Sequence, residues 1–98
     1  MKKLEDILYK VRIIAIHGNR NVDVNAITID SRKVERHSMF IAVKGEKFDG
    51  HKFIDQAVNA GASVIVCEEL PLLITNATFI QVKNSISKVI INGVHFLG

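Results

Sequence analysis

Apolar residues at Leu4, Ile7, Leu8 and Val11 follow the i, i+3, i+4, i+7 spacing of one helix face, which predicts a short amphipathic helix over 3–11. A short apolar segment, Ile13 to Ile16, then runs into His17-Gly18-Asn19-Arg20-Asn21, whose glycine and asparagines mark a turn. From Val22 the apolar positions alternate. Val22, Val24 and Ala26 share one phase and Ile27 and Ile29 the other, so the spacing predicts a strand over 25–30 with a phase break before it. Met39 to Val43 is apolar at every position, as expected of a strand buried on both faces, and Ala62 to Cys67 reads as a second such strand.

Between those two strands Phe53, Ile54, Ala57 and Val58 keep helical spacing. Asp49 stands where an N-cap belongs and Gly61 where a C′ glycine belongs, so a helix of about 11 residues is expected. Strand, helix, strand is a βαβ unit, which requires a parallel pair and a right-handed crossover. Pro71 opens a connector, Thr78 to Val82 reads as a further strand, and Ile86, Val89, Ile90, Val94 and Leu97 suggest a closing helix. The pattern is that of a single α/β domain.

Composition agrees with this pattern. The 98 residues suit one domain, and 48% hydrophobic residues with a single proline can bury a core. The lone Cys67, inside an apolar run, excludes a disulfide framework or a cysteine metal site within one chain. Glu5 and Asp6 interrupt the start of the chain, which does not read as a signal peptide, and no apolar run approaches the ~18–20 residues that span a bilayer. A cytoplasmic protein with no membrane partner is expected. A net charge of +3 and a pI near 9.2 raise the possibility of nucleic-acid binding. The six aromatic residues are not interleaved with the cations, which argues against it. A local cluster at Arg32, Lys33, Arg36 and His37 reads either as a solvated loop or as a surface that tolerates a phosphate-bearing ligand.

The catalytic motifs are missing. Gly45-Glu46-Lys47-Phe48-Asp49-Gly50 has P-loop spacing, but His51 and Lys52 stand where the phosphate-gripping lysine and the magnesium-binding hydroxyl belong. The four histidines are scattered without metal-ligand spacing, and Ser31 lacks a nucleophile elbow. No catalytic residue and no metal ligand is assigned. A binding site is what remains: Ser31 offers a hydroxyl just after a strand, Asp30 can order the turn, Gly45 lets the backbone approach a ligand, and Phe48 can stack on a flat base. Read as structure alone, Asp30-Ser31 is a turn, Phe48 is a lid on the core, and the chain is an interaction module without a ligand.

The blocks Thr28-Ile29-Asp30-Ser31-Arg32-Lys33-Val34, Met39-Phe40-Ile41-Ala42-Val43-Lys44-Gly45, Asp49-Gly50-His51-Lys52-Phe53-Ile54 and Ala57 to Ala62 resemble the N-terminal domain of the Mur ligases of peptidoglycan synthesis. The resemblance covers essentially the whole chain. It implies a small three-layer α/β domain with a mixed, partly parallel sheet containing the βαβ unit, occupying 1–98 as the UDP-binding part of a longer polypeptide. The family's remaining domains bind ATP, with Mg²⁺, and the incoming amino acid, so this stretch alone is expected to be inactive. The implied reaction makes an acyl phosphate from the substrate carboxylate and ATP, which an amine then attacks. By position, contacts to the UDP of the substrate fall on Ile29, Ser31, Glu46, Lys47 and Phe48. Leu4-Glu5-Asp6-Ile7-Leu8 and Cys67-Glu68-Glu69-Leu70-Pro71 look most like the members that extend a UDP-MurNAc-dipeptide by a third residue. The members that add D-alanyl-D-alanine are the nearest alternative. One departure is visible: Arg36-His37-Ser38 stands where the family usually has Pro-Gly.

Overall fold

The computed structural model describes residues 2–9, 11–74 and 76–83. Seven strands and two helices follow one another as β1 (Lys2–Lys3), α1 (Leu4–Ile7), β2 (Ile13–His17), β3 (Asp23–Val24), β4 (Ala26–Thr28), β5 (Ser38–Ile41), α2 (Ile54–Asn59), β6 (Val64–Cys67) and β7 (Thr78–Val82). Single 3-10 turns lie at Ser31–Lys33 and Gly50–Phe53. The main sheet has the order β2-β7-β6-β5-β4; β4 to β7 run parallel and β2 is antiparallel to β7. β1 and β3 form a separate antiparallel pair.

Because successive strand residues point to opposite faces, the doubly apolar strands supply two cores. Met39, Ile41, Val64, Val66, Ile80 and Val82 pack with Leu4, Ile7 and Val24 on one face. Phe40, Ile65, Cys67 and Phe79 pack with Ile54 and Ala57 of α2 on the other. The domain is therefore three-layered, with a mixed sheet in the middle, as expected. The βαβ unit is β5-α2-β6, with Met39 opposite Val64 and Ile41 opposite Val66 in parallel register.

Several boundaries differ from the periodicity, β5 ending at Ile41 rather than Val43 and β6 beginning at Val64 rather than Ala62 among them. The first helix is one turn, Leu4–Ile7. It starts only at Leu4 because Lys2 and Lys3 pair with β3 and Leu4 N–H donates to Val22 at 2.9 Å. Beyond Leu8 the chain continues in turns, with Tyr9 N–H donating to Asp6 and Val11 N–H to Leu8. Its buried residues, Leu4 and Ile7, are those the spacing selected. The strand expected over 25–30 is interrupted at Asn25, where the chain leaves the small sheet for the large one. Asn25 N–H donates to His37 at 3.1 Å and its amide to Arg36 at 2.9 Å, so the phase break is a hydrogen-bonded crossover. The second helix spans the expected length, but its first turn is 3-10. Asp49 caps that turn by accepting from His51 N–H at 3.0 Å.

At its other end Gly61 takes φ +111°, and its N–H and that of Ala62 donate to Val58 and Ala57, the bonding pattern of a helix closed by a left-handed glycine. A Cβ there would sit 3.0 Å from Arg36 Cα, so this glycine also lets the β4–β5 connection pack on the helix end. In that connection His37 adopts φ +67°. The turn at Arg36-His37-Ser38 thus reaches the left-handed region without a glycine, at some conformational cost. The expected helix around Ile86 to Leu97 lies outside the described residues.

Candidate functional site

Parallel strands place their carboxyl ends, and the loops that follow, along one edge of the sheet. β4 ends at Thr28, whose hydroxyl accepts from Asp30 N–H at 3.0 Å and turns the chain outward. Asp30 then caps the Ser31–Lys33 turn by accepting from Arg32 N–H at 2.9 Å. Its carboxylate also receives the Arg32 guanidinium through two contacts of 3.0 Å. These bonds from Arg32, side chain first and backbone second, hold the Asp30 carboxyl down at about 2.

A folded-state pKa below the ordinary 3.8 makes the charged form a stabilising one. That contribution is complete above about pH 4 and is lost as pH falls toward 2. The variant Asp30→Asn, which keeps the capping oxygen, is expected to lose stability less steeply over that interval. Chemical denaturation of both proteins at stepped pH measures the difference; equal slopes would show that the ion pair contributes nothing.

After β5, residues 43–50 form a tight hairpin. Gly50 N–H donates to Val43 at 2.7 Å, Gly45 N–H to Phe48 at 2.8 Å, and Lys44 bridges Asp49. The hairpin lays Phe48 on Phe53, the residue just before α2, with ring centroids 5.3 Å apart and planes 12° from parallel. Phe48 keeps 55% of its surface exposed, more than a core lid would.

Between these two elements lies an open groove of about 730 Å³. Ile29, Asp30, Ser31, Arg32 and Lys33 line one side, and Phe48, Phe53 and Gln56 the other. Of the five residues singled out from the sequence, Ile29, Ser31 and Phe48 line the groove. Glu46 and Lys47 stand exposed at the hairpin tip and do not form its wall. Two liners, Phe53 and Gln56, were not assigned a site role from the sequence, and Arg32 and Lys33 entered only as members of the basic cluster. Phe53 and Gln56 are three positions apart at the start of α2, a spacing that puts both on one side of it. The basic cluster divides: Arg32 and Lys33 border the groove, whereas Arg36 and His37 lie at the other end of the sheet, against Gly61 and Asn25.

The groove presents a hydroxyl, an exposed aromatic ring and two cations, groups that can bind a ligand. Burial raises the Cys67 thiol to about 11, which keeps it protonated and inert. Among the described residues no group of three or more His, Cys, Asp or Glu could hold a metal ion, and His51 and Lys52 follow the Gly45–Gly50 hairpin where a P-loop has its lysine and hydroxyl. No helix among the described residues is long and apolar enough to cross a membrane.

Comparison with known proteins places this architecture. Residues 23–96 match the family described as Mur ligase family, catalytic domain. A UDP-N-acetylmuramoyl-L-alanyl-D-glutamate--2,6-diaminopimelate ligase from Cytophaga hutchinsonii is 52% identical over 85 residues, covering 85% of this chain and 18% of that protein. A ligase of the same name from Clostridium acetobutylicum is 37% identical over 94 residues, covering 96% of this chain and 20% of the relative. The chain thus spans about a fifth of the length of these relatives. Among solved structures, the MurF ligase of Thermotoga maritima in complex with ADP matches at 33% identity and a TM-score of 0.57, over 64% of this chain and 14% of that one. MurF from Acinetobacter baumannii superposes with a TM-score of 0.74 over 89% of this chain and 19% of that one; at 24% identity this is a likeness of fold. With the family match running from β3 past β7, over most of the sheet and both walls of the groove, the chain belongs to the Mur ligase family.

Proposed function

We propose that this domain anchors the uridine diphosphate end of a UDP-N-acetylmuramoyl dipeptide for an ATP-dependent ligase that adds 2,6-diaminopimelate as the third residue of the peptidoglycan stem. The observation that carries the reading is the groove at the carboxyl end of β4, bordered by a serine hydroxyl, two cations and a half-exposed phenylalanine. Phe48 offers a flat apolar surface to the uracil, Ile29 an apolar wall, and Ser31 a hydroxyl. Arg32 and Lys33 supply positive charge for the diphosphate. Glu46 and Lys47, exposed at the hairpin tip, would contact the nucleotide through their backbone. Binding energy gained here, far from the reacting carboxylate, would be used to position that carboxylate for activation and amine attack in the rest of the enzyme. Diaminopimelate is preferred over D-alanyl-D-alanine as the incoming group because relatives at 37–52% identity carry the former name.

Titration of the chain with UDP, followed by amide NMR, is expected to shift Ile29, Ser31 and Glu46 to Phe48. Ser31→Ala should weaken binding by about tenfold, the worth of one hydrogen bond to a charged partner. Shifts confined to other residues would remove the site assignment. Assay of the longer polypeptide with each amino donor decides the amino acid.

A further inference from the structure

His51 has no part in the groove wall, yet both of its ring nitrogens are engaged. Nδ1 lies 2.8 Å from Asp49 Oδ1, while Nε2 accepts from Glu68 N–H at 3.0 Å and from Glu69 N–H at 3.2 Å. The side chain is only 11% exposed. Backbone N–H groups can only donate, so Nε2 must offer its lone pair; a carboxylate can only accept, so the ring proton sits on Nδ1. The geometry selects one neutral tautomer.

The position of the ring matters as much as its tautomer. Asp49 closes the hairpin opposite Lys44 and adjoins Phe48, whereas Glu68 and Glu69 are the first residues after β6. The imidazole therefore spans from the end of a fully buried strand to the base of the hairpin that supplies one wall of the groove. A second tie, Lys44 Nζ to Glu69 Oε1 at 2.9 Å, joins side chains that are 49% and 69% exposed, and such pairs contribute little.

We infer that His51, as an imidazole protonated at Nδ1 alone, is the positioning residue that holds the Phe48 hairpin against the end of β6, and that protonation of Nε2 releases this hold. The inference rests on the groove being the uridine nucleotide site. The charged groups around the ring are Asp49 and Lys44 on the hairpin, Glu68 and Glu69 at the strand end, and Lys52 beside it in the same turn. Whatever their balance, a proton on Nε2 cannot coexist with two N–H groups aimed at it.

The test compares His51→Gln, His51→Asn and His51→Ala. A glutamine oxygen reaches the place of Nε2 and accepts without titrating, whereas an asparagine side chain ends at the place of Nδ1. Imidazole nitrogen spectra of the chain at neutral pH should show Nδ1 protonated and Nε2 bare. On acidification the amides of Glu46 to Phe48 and of Glu68 and Glu69 should move together with the imidazole, and UDP affinity should fall by about tenfold. At neutral pH H51N and H51A should bind UDP about tenfold more weakly than the parent, while H51Q stays within about threefold and lacks the imidazole-linked step. A ring protonated at Nε2, hairpin amides unmoved in H51N, or an H51Q no better than H51N would each overturn the assignment. If the parent chain binds no uridine nucleotide, the groove reading fails, and the tautomer and hairpin amides still decide whether His51 is the strut.

Discussion

Replacing Phe40 by alanine is expected to cost about 3–5 kcal/mol, the largest single loss in the domain. Phe40 is 1% exposed in β5, between β4 and β6, and it belongs to the core that packs α2 on the sheet. Its removal forfeits the transfer free energy of a fully buried aromatic side chain and leaves a cavity that neighbouring strands cannot close, since they are pinned by ladder bonds on both sides. A chain this short has a total stability on the order of 5–15 kcal/mol, so the loss is a large fraction of it. The effect reaches the groove, because Phe53 packs on this same core while its ring carries Phe48. Urea titration should give a lower midpoint at unchanged slope, with Phe40→Leu losing less than about 1.5 kcal/mol as a nearer match in volume. An alanine variant that lost under about 1 kcal/mol would mean that the α2 face is not a consolidated core.

Gly50→Ala is the second. A Cβ at this position would lie 2.8 Å from Val43 N and 3.1 Å from Ala42 Cα, both backbone atoms that cannot turn aside. Relief requires the hairpin to open, which breaks the 2.7 Å bond from Gly50 N–H to Val43 and shifts the Asp49 cap. Overpacking of this kind costs about 1–3 kcal/mol. More of the damage should be functional than for Phe40→Ala, because the part that must move is the part that presents Phe48. Contacts between the Phe48 and Phe53 rings, followed by NMR, should be lost and UDP binding weakened at temperatures where the variant is still folded. Retention of the ring contact and of binding in folded G50A would show that the groove does not depend on the hairpin's closure.

The fold was largely legible because the informative signals are local. The apolar runs read at Met39 to Val43 and Ala62 to Cys67 cannot be placed on a one-sided sheet, so two covered faces follow from them, and two cores are found. Asp49 and Gly61 bracket the second helix for stereochemical reasons that hold in any context. Where periodicity overreached, at residues 3–11, the competing partner was remote: β3 claims Lys2 and Lys3 from twenty positions away, and no short window contains that. The same holds for Asn25, whose partners Arg36 and His37 are brought to it only by the parallel pairing of β4 with β5.

The groove was legible in part. Ile29 and Ser31 stood out through the block that contains them and Phe48 as an aromatic ring beside the glycine turn, but Phe53 looked like an ordinary core residue of an amphipathic helix. Lys33 looked like one member of a single basic cluster, which the strand direction divides between opposite ends of the sheet. His51 belongs to the Asp49–Ile54 block, but nothing local shows what its ring contacts, since its partners at the end of β6 are 17 and 18 residues away.

Read alone, the amino acids determined the strands around Met39 to Val43, Ala62 to Cys67 and Thr78 to Val82, the crossover helix between the first two, and that the sheet is covered on both sides. Those properties follow from side-chain volume, polarity and backbone freedom at neighbouring positions. Only the tertiary structure decided that Ser31 and Phe48 line one groove and that the His51 imidazole lies between the hairpin and the end of β6. Such contacts depend on strand order and direction, which come from the packing of residues far apart in the chain and leave no mark in any short run of sequence.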